Sequence, residues 1–215
     1  MTILPFSQAL RERTRSGHGE SEGADFMKDL MTGKGTREDY IALVAQHYFI
    51  YEALENAAAR FADDEVAQKF ITPQLTRLPA LAADLEFLLG PSWREQIVPL
   101  PISTRYAERI REVADERWTG GFLAHHYTRY LGDLSGGQVI CTLMQRQFGF
   151  ETNGVGFYIF DSIAHPREFK ETYRAELDAI DWDAAECDRV VDEVMLAYGF
   201  NTGLFVDLSA AKAVA

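Results

Sequence analysis

The stretch H-H-Y-T-R-Y-L-G-D-L-S-G-G-Q, His125 to Gln138, decides how this chain is read. It lies in a helical pattern from about Gly121 to Phe148, with Phe122, Tyr127, Tyr130, Leu131, Leu134, Ile140 and Leu143 along it. Gly132, Gly136 and Gly137 fall close together inside that pattern. Each weakens a helix interior by ~1 kcal/mol relative to alanine, so a helix that keeps all three is bending or admitting a close neighbour. Gly132 and Gly136 are four apart and share a face, which leaves a flat strip free of side chains. Asp133 sits beside that strip and Arg129 one turn before it. A flat strip with one carboxylate at its edge suits a planar ligand. The alternative is a close helix crossing, with Arg129 and Asp133 as a solvated ion pair.

Working outward, helical periodicity recurs and strand alternation does not. Upstream, Ser7 is the expected N-cap of a first helix reaching about Glu22, interrupted by the odd triplet Gly17-His18-Gly19. Thr36 and Asp39 have capping-box spacing and open a long helix with Tyr40, Leu43, Val44, Tyr48, Tyr51, Leu54, Ala58 and Phe61 on one stripe. Thr72-Pro73 and Leu78-Pro79 read as helix starts, the second stopping at Gly90-Pro91. Another helix follows Pro101, and Gly120-Gly121 separates it from the glycine-bearing one. Downstream, Asn153 to Phe160 is aromatic but broken by glycine, and reads as a surface meander or a short strand. Pro166 opens a helix through Phe169, Tyr173 and Leu177. Asp183 with Glu186 caps the last one. Residues 1–215 form one all-α domain, with 209–215 an expected flexible tail.

The chain has 215 residues, enough for one buried core, and its 47% hydrophobic and 25% charged content is that of a globular protein. A net charge of -12 argues against nucleic acid and anionic membrane as partners. The N-terminus lacks the apolar core of a signal peptide, and no apolar run approaches the roughly 20 residues of a membrane span. Cys141 and Cys187 have neither metal nor disulfide spacing. These features set the expectation of a cytoplasmic monomer with reduced thiols and no membrane anchor.

Five histidines could ligate a metal: His18, His47, His125, His126 and His165. His47 reads as a packing or surface residue and His165 as part of a helix start. His125 and His126 are adjacent and point to different faces. His18 stands out because Glu22, one turn later, can hold its far ring nitrogen. Arg15 and Arg11 follow the same side of that helix, where they could meet an anionic ligand. Lys170 and Arg174, four apart on a later helix, could hold a second anionic edge.

The run L-G-D-L-S-G-G-Q, Leu131 to Gln138, resembles the distal helix of heme oxygenases, and H-G-E-S-E-G-A-D-F-M, His18 to Met27, resembles their proximal segment. The resemblance covers roughly Leu10 to Leu208. It implies heme between a proximal N-terminal helix and a kinked, glycine-rich distal helix, with His18 as iron ligand. It implies propionate contacts from Arg11, Arg15, Tyr127, Lys170 and Arg174, although lysine is usual where Arg11 and Arg15 stand. Gly19 also departs from the pattern, where a larger polar residue is expected. Tyr51, Asp133 and Arg129 would share a water network, with Gly132, Gly136 and Gly137 as the distal wall. Glu22, Met27, Phe157, Tyr198, Asn201 and Phe205 match pocket-lining or supporting positions. Animal members typically carry a C-terminal membrane anchor; this chain looks like the soluble bacterial type.

The implied reaction is oxidative opening of heme b, both cofactor and substrate, to biliverdin (the α isomer is favoured), CO and ferrous iron. It uses O2 and electrons from an external donor. No flavin- or nicotinamide-binding fingerprint is present, so a ferredoxin or flavoprotein reductase is the expected partner. Arg105, Arg109, Arg111, Arg117 and Arg146 are candidates for its docking patch. Two rivals are a non-catalytic heme carrier or store, and a related all-α fold acting on thiamine-like compounds through a catalytic cysteine.

Overall fold

The computed structural model describes residues 4–22 and 24–214, and among them every regular element is helical. The first helical stretch is two helices, α1 (Phe6–Arg13) and α2 (Arg15–Glu22). They part at Thr14, whose hydroxyl bonds back to Leu10 O at 2.8 Å, a local competitor for the helical ladder. Ser7 does not cap α1; Pro5 occupies the N-cap position without a side-chain cap, and the Ser7 N–H and hydroxyl donate to the Asp178 carboxylate at 2.7 and 2.9 Å. After α3 (Asp25–Met31), α4 (Arg37–Arg60) opens with the expected capping box. The Asp39 amide donates to Thr36 Oγ1, and Asp39 Oδ2 accepts from the Thr36 amide. The tyrosine and leucine stripe of α4 then runs through the centre of the core.

Thr72-Pro73 starts only a 3-10 turn, Pro73–Leu75, whereas α5 (Leu78–Leu89) and α7 (Pro101–Asp115) follow their proline starts, with the short α6 (Trp93–Gln96) between them. The chain breaks before the glycine-bearing helix at Arg117, whose φ of 55° is left-handed, and not at Gly120-Gly121. Those glycines lie in the first turn of α8 (Thr119–His126), where added Cβ atoms would strike Glu186 and Trp118 at 2.3 Å each. They are there for close packing. Two π-helical turns follow, Tyr127–Leu131 and Asp133–Gly137, before α9 (Gln138–Phe148). Hydroxyls of Thr128 and Ser135 bond back to Ala124 O and Leu131 O at 2.8 Å each, and Gln138 Nε2 reaches Asp133 O at 3.1 Å, so side chains support the widened turns.

The expected surface meander is interior. Val155, Phe157 and Tyr158 are buried, with a 3-10 turn at Gly156–Tyr158 and no strand. It stays there because Asp84 and Arg77 satisfy its backbone. Asp84 accepts from the Gly154, Gly156 and Phe157 amides at 2.7–2.9 Å, and Arg77 Nη1 donates to Ile159 O at 2.7 Å. After α10 (Pro166–Asp178), α11 (Ala184–Val214) spans the molecule and packs on α2, α3, α7 and α8. It continues past Ser209, and Lys212 Nζ reaches Asp39 at 2.7 Å. By length and composition alone α11 is apolar enough to cross a membrane, contrary to the sequence expectation. In the fold it carries Glu193 and Asn201 into polar contacts in the interior. One hydrophobic cluster links residues from α1 to α11.

Candidate active site

Helix α2 presents His18 outward. Gly17 faces α11: a Cβ there would lie 3.1 Å from Met195 Sδ and from Tyr198 Cβ, so the bare backbone lets α2 seat close on α11 without displacing them. Gly19, on the other side of His18, has nothing within 4 Å of its would-be Cβ. The His18 side chain is 52% exposed, with Nδ1 3.5 Å from Glu22 Oε2 and its ring edge-on to Tyr198 at 5.6 Å. The carboxylate lies beside one ring nitrogen, on the side away from Nε2.

On the glycine-bearing helix, Gly132 and Gly136 are exposed and have nothing within 4 Å of a would-be Cβ. Gly137 differs: its Cβ would lie 2.9 Å from the Tyr158 ring, so it packs against the buried loop and is not part of the open strip. Between the two open glycines, Asp133 turns inward and is 7% exposed, as Arg129 is at 6%. They are not the solvated ion pair of the alternative reading. The Tyr51 hydroxyl donates directly to Asp133 Oδ2, where the resemblance implies ordered water between them. Arg129 lies over the Tyr51 ring at 5.0 Å and donates from Nη1 to Asn201 Oδ1 at 2.9 Å. Asn201 therefore holds Arg129. Burial pushes the Asp133 carboxyl up to about 6, against the opposing pull of Arg129 and the Tyr51 hydrogen bond.

Four of the expected cations have no acidic partners. In a chain of net charge -12, Arg11, Arg15, Lys170 and Arg174 make no ion pair among the described residues. Burial pushes the Tyr127 hydroxyl above its usual range, while Arg174 and Arg11 pull it back, which places both guanidiniums near it. Lys170 Nζ donates to Leu134 O at 3.1 Å and Ser135 Oγ at 2.7 Å, beside the strip.

A sequence model described as heme oxygenase matches residues 4–207. The chain belongs to the heme oxygenase family. It is similar to heme oxygenase 1 of Synechocystis sp., 35% identical over 93% of this chain and 82% of that protein. It is also similar to human heme oxygenase 1, 37% identical over 94% of this chain and 71% of that protein. Among solved structures, heme oxygenase-2 from Synechocystis sp., in complex with heme and NO, matches with a TM-score of 0.92 at 35% identity. That match covers 97% of this chain and 86% of the other. Heme oxygenase-1 from the same cyanobacterium, in complex with heme, gives 0.91 at 34% identity, over 98% and 96%.

As a heme oxygenase, the chain is a heme-degrading enzyme, and the residues present fit that ligand. An exposed imidazole, an open strip at Gly132 and Gly136, and unpaired cations match the metal, the flat face and the acidic edge of heme. Other expected residues stand further back. Met27 is buried in α3, Phe157 is fully buried against Tyr51, and Phe205 stacks on Phe26 at 6.4 Å. The histidines separate as expected: His125 Nε2 meets Glu193 at 2.9 Å, and His126 Nδ1 meets Tyr173 at 3.0 Å. His47 is buried in the core, which is the packing alternative of its reading. Two of the arginines suggested for donor docking are committed elsewhere, Arg109 to Glu193 and Glu112 and Arg117 to Asp63. Burial pushes both Cys141 and Cys187 thiols up, the wrong direction for a nucleophile.

Sequence reasoning missed Asp84, Arg77 and Glu193. Asp84 lies three residues after Leu81 and one before Leu85, a carboxylate on an apolar helix face; that placement was the available signal.

Proposed function

We propose that this enzyme opens heme to biliverdin, in its α isomer, with release of CO and ferrous iron, using O2 and electrons from an external ferredoxin or flavoprotein reductase. The observation that carries this reading is the pairing of a bare backbone strip at Gly132 and Gly136 with a buried carboxyl of raised pKa between them. Bound heme supplies the iron that takes up O2 and the ring that is oxidised.

The chain's own residues bind, orient and move protons. His18 would hold the iron, with Glu22 beside its Nδ1 to orient the imidazole. Arg11, Arg15, Tyr127, Lys170 and Arg174 set the rotation of the ring through its propionates, and thereby which edge lies against the strip. Gly132 and Gly136 would offer the heme face a backbone with no acid or base side chain of their own. With its pKa at about 6, Asp133 holds its proton in an appreciable fraction of molecules near neutral pH. Tyr51 orients that carboxyl from one side, and Arg129, held by Asn201, biases its charge from the other. The two free thiols support a reducing compartment, and this reading includes a cytoplasmic monomer.

The test is single turnover. Hemin is added to the protein, reduced ferredoxin and O2 are supplied, and pigment and gas are analysed. Loss of the Soret band with appearance of biliverdin IXα and CO is expected. A Soret band that survives reduction and oxygenation would sink the reading in favour of a heme carrier.

A further inference from the structure

His47 lies on α4 one turn before Tyr51 and is only 5% exposed, yet its Nδ1 has no hydrogen-bond partner among the described residues. Its ring is 5.1 Å from that of Phe157 and 6.3 Å from that of Tyr51. A buried, unpartnered polar nitrogen destabilises the fold, and leucine or phenylalanine would fill these apolar surroundings without that penalty. A partner from outside the protein chain is therefore called for.

Among the described residues five other buried side-chain atoms also lack partners, Ser103 Oγ, His125 Nδ1, Arg129 Nε and the Tyr158 and Tyr106 hydroxyls, and the last three bear on the site. Both tyrosines feel the charges of Arg129 and Asp133, and His47 feels that of Arg129. Unsatisfied groups gathered round one charged pair mark bound water. Arg129 bears on His47 from the glycine-bearing helix, Tyr51 from its own helix, and Phe157 from the buried loop. Burial first, and then the Arg129 charge, hold the imidazole neutral. A neutral ring accepts at one nitrogen and donates at the other, so it can orient a water without adding charge beside Arg129.

We propose that His47 is a positioning residue for heme opening: its Nδ1 holds a water that sets the Tyr51–Asp133 pair. The inference rests on Asp133 being the proton-delivering group. The test compares His47→Leu and His47→Gln with the unmutated protein. In heme-free protein, infrared difference spectra follow the Asp133 carboxyl titration; in the hemin complex, turnover is measured against pH. For His47→Leu, hemin affinity and thermal midpoint should hold while turnover falls about tenfold, the pH profile moves, and the Asp133 titration leaves its native value. His47→Gln, which keeps a polar atom in place, should restore most of the turnover. An unchanged profile and titration in His47→Leu, with or without lost thermal stability, assigns His47 to packing and overturns the proposal.

Should the leucine variant not fold, the ring nitrogens of the unmutated heme-free protein decide. A neutral ring from roughly pH 5 to 8 with a hydrogen-bonded Nδ1 is expected; a free Nδ1, or titration near the usual histidine value, overturns it. Failure of the underlying reading looks different, because it appears in the unmutated protein as no heme opening, or in Asp133→Asn as full activity.

Discussion

The Tyr51 hydroxyl donates to Asp133 Oδ2 across 82 residues of sequence, joining the centre of α4 to the bare turn of the glycine-bearing helix. That hydrogen bond favours the ionised carboxylate, so it holds the Asp133 pKa below the level burial alone would set. Tyr51→Phe is therefore expected to raise the Asp133 titration above about 6. Infrared titration of the heme-free variant checks this; a downward shift would contradict it.

Asp133 should set stability against function. Its folded pKa of about 6 exceeds the ordinary aspartate value of 3.8, so between these values the folded chain keeps a proton that the unfolded chain has lost. Stability then falls as pH rises through this window and stays lower above it. Asp133→Asn should be more stable than the unmutated protein at pH 7.5, by about 3 kcal/mol at most, with no difference below about pH 4. The same variant should lose about a hundredfold in heme opening while still binding hemin. Denaturant melts at both pH values, with pigment analysis, check both halves.

The three distal glycines should separate. At Gly132 and Gly136 a methyl group meets open space, so alanine should stabilise the heme-free protein by about 0.5–1 kcal/mol while slowing heme opening. At Gly137 the same change pushes into the Tyr158 ring and should destabilise. Thermal melts of the three heme-free variants test this ordering.

Glu193 binds Arg109 through two 2.9 Å contacts and His125 through a third. Burial would raise its pKa, but His125 and Arg109 hold it down to about 2. This depressed carboxylate stabilises the fold above its unfolded pKa, and the contribution is lost as pH falls from about 4.5 toward 2. Glu193→Ala leaves buried His125 without its carboxylate and Arg109 with Glu112 alone, so about 3 kcal/mol should be lost at neutral pH. Chemical denaturation at pH 7 and pH 3 should show the gap narrowing in acid.

Legibility from sequence followed the range of the interaction. The Thr36–Asp39 box and the proline starts of α5, α7 and α10 are local chemistry, and they were read correctly. The open faces of Gly132 and Gly136 followed from helical spacing, as did the His18–Glu22 pair. The division at Thr14 was hidden, because neither proline nor glycine marks it. Burial of the 153–160 loop was hidden for a different reason: its backbone is satisfied by Arg77 and Asp84, about 70 to 80 residues away. Gly137 looked like its two neighbours until Tyr158 was placed against it. The Tyr51–Asp133 link came from family resemblance, since spacing alone does not bring those residues together.

The central claim is that iron is held by His18 opposite the bare strip. Resonance Raman of the ferrous hemin complex tests it directly, comparing the unmutated protein with His18→Ala. An iron–histidine stretch should be present in the first, absent in the second, and replaced by an iron–imidazole band when imidazole is added. The same stretch persisting in His18→Ala would place the ligand elsewhere and contradict the account.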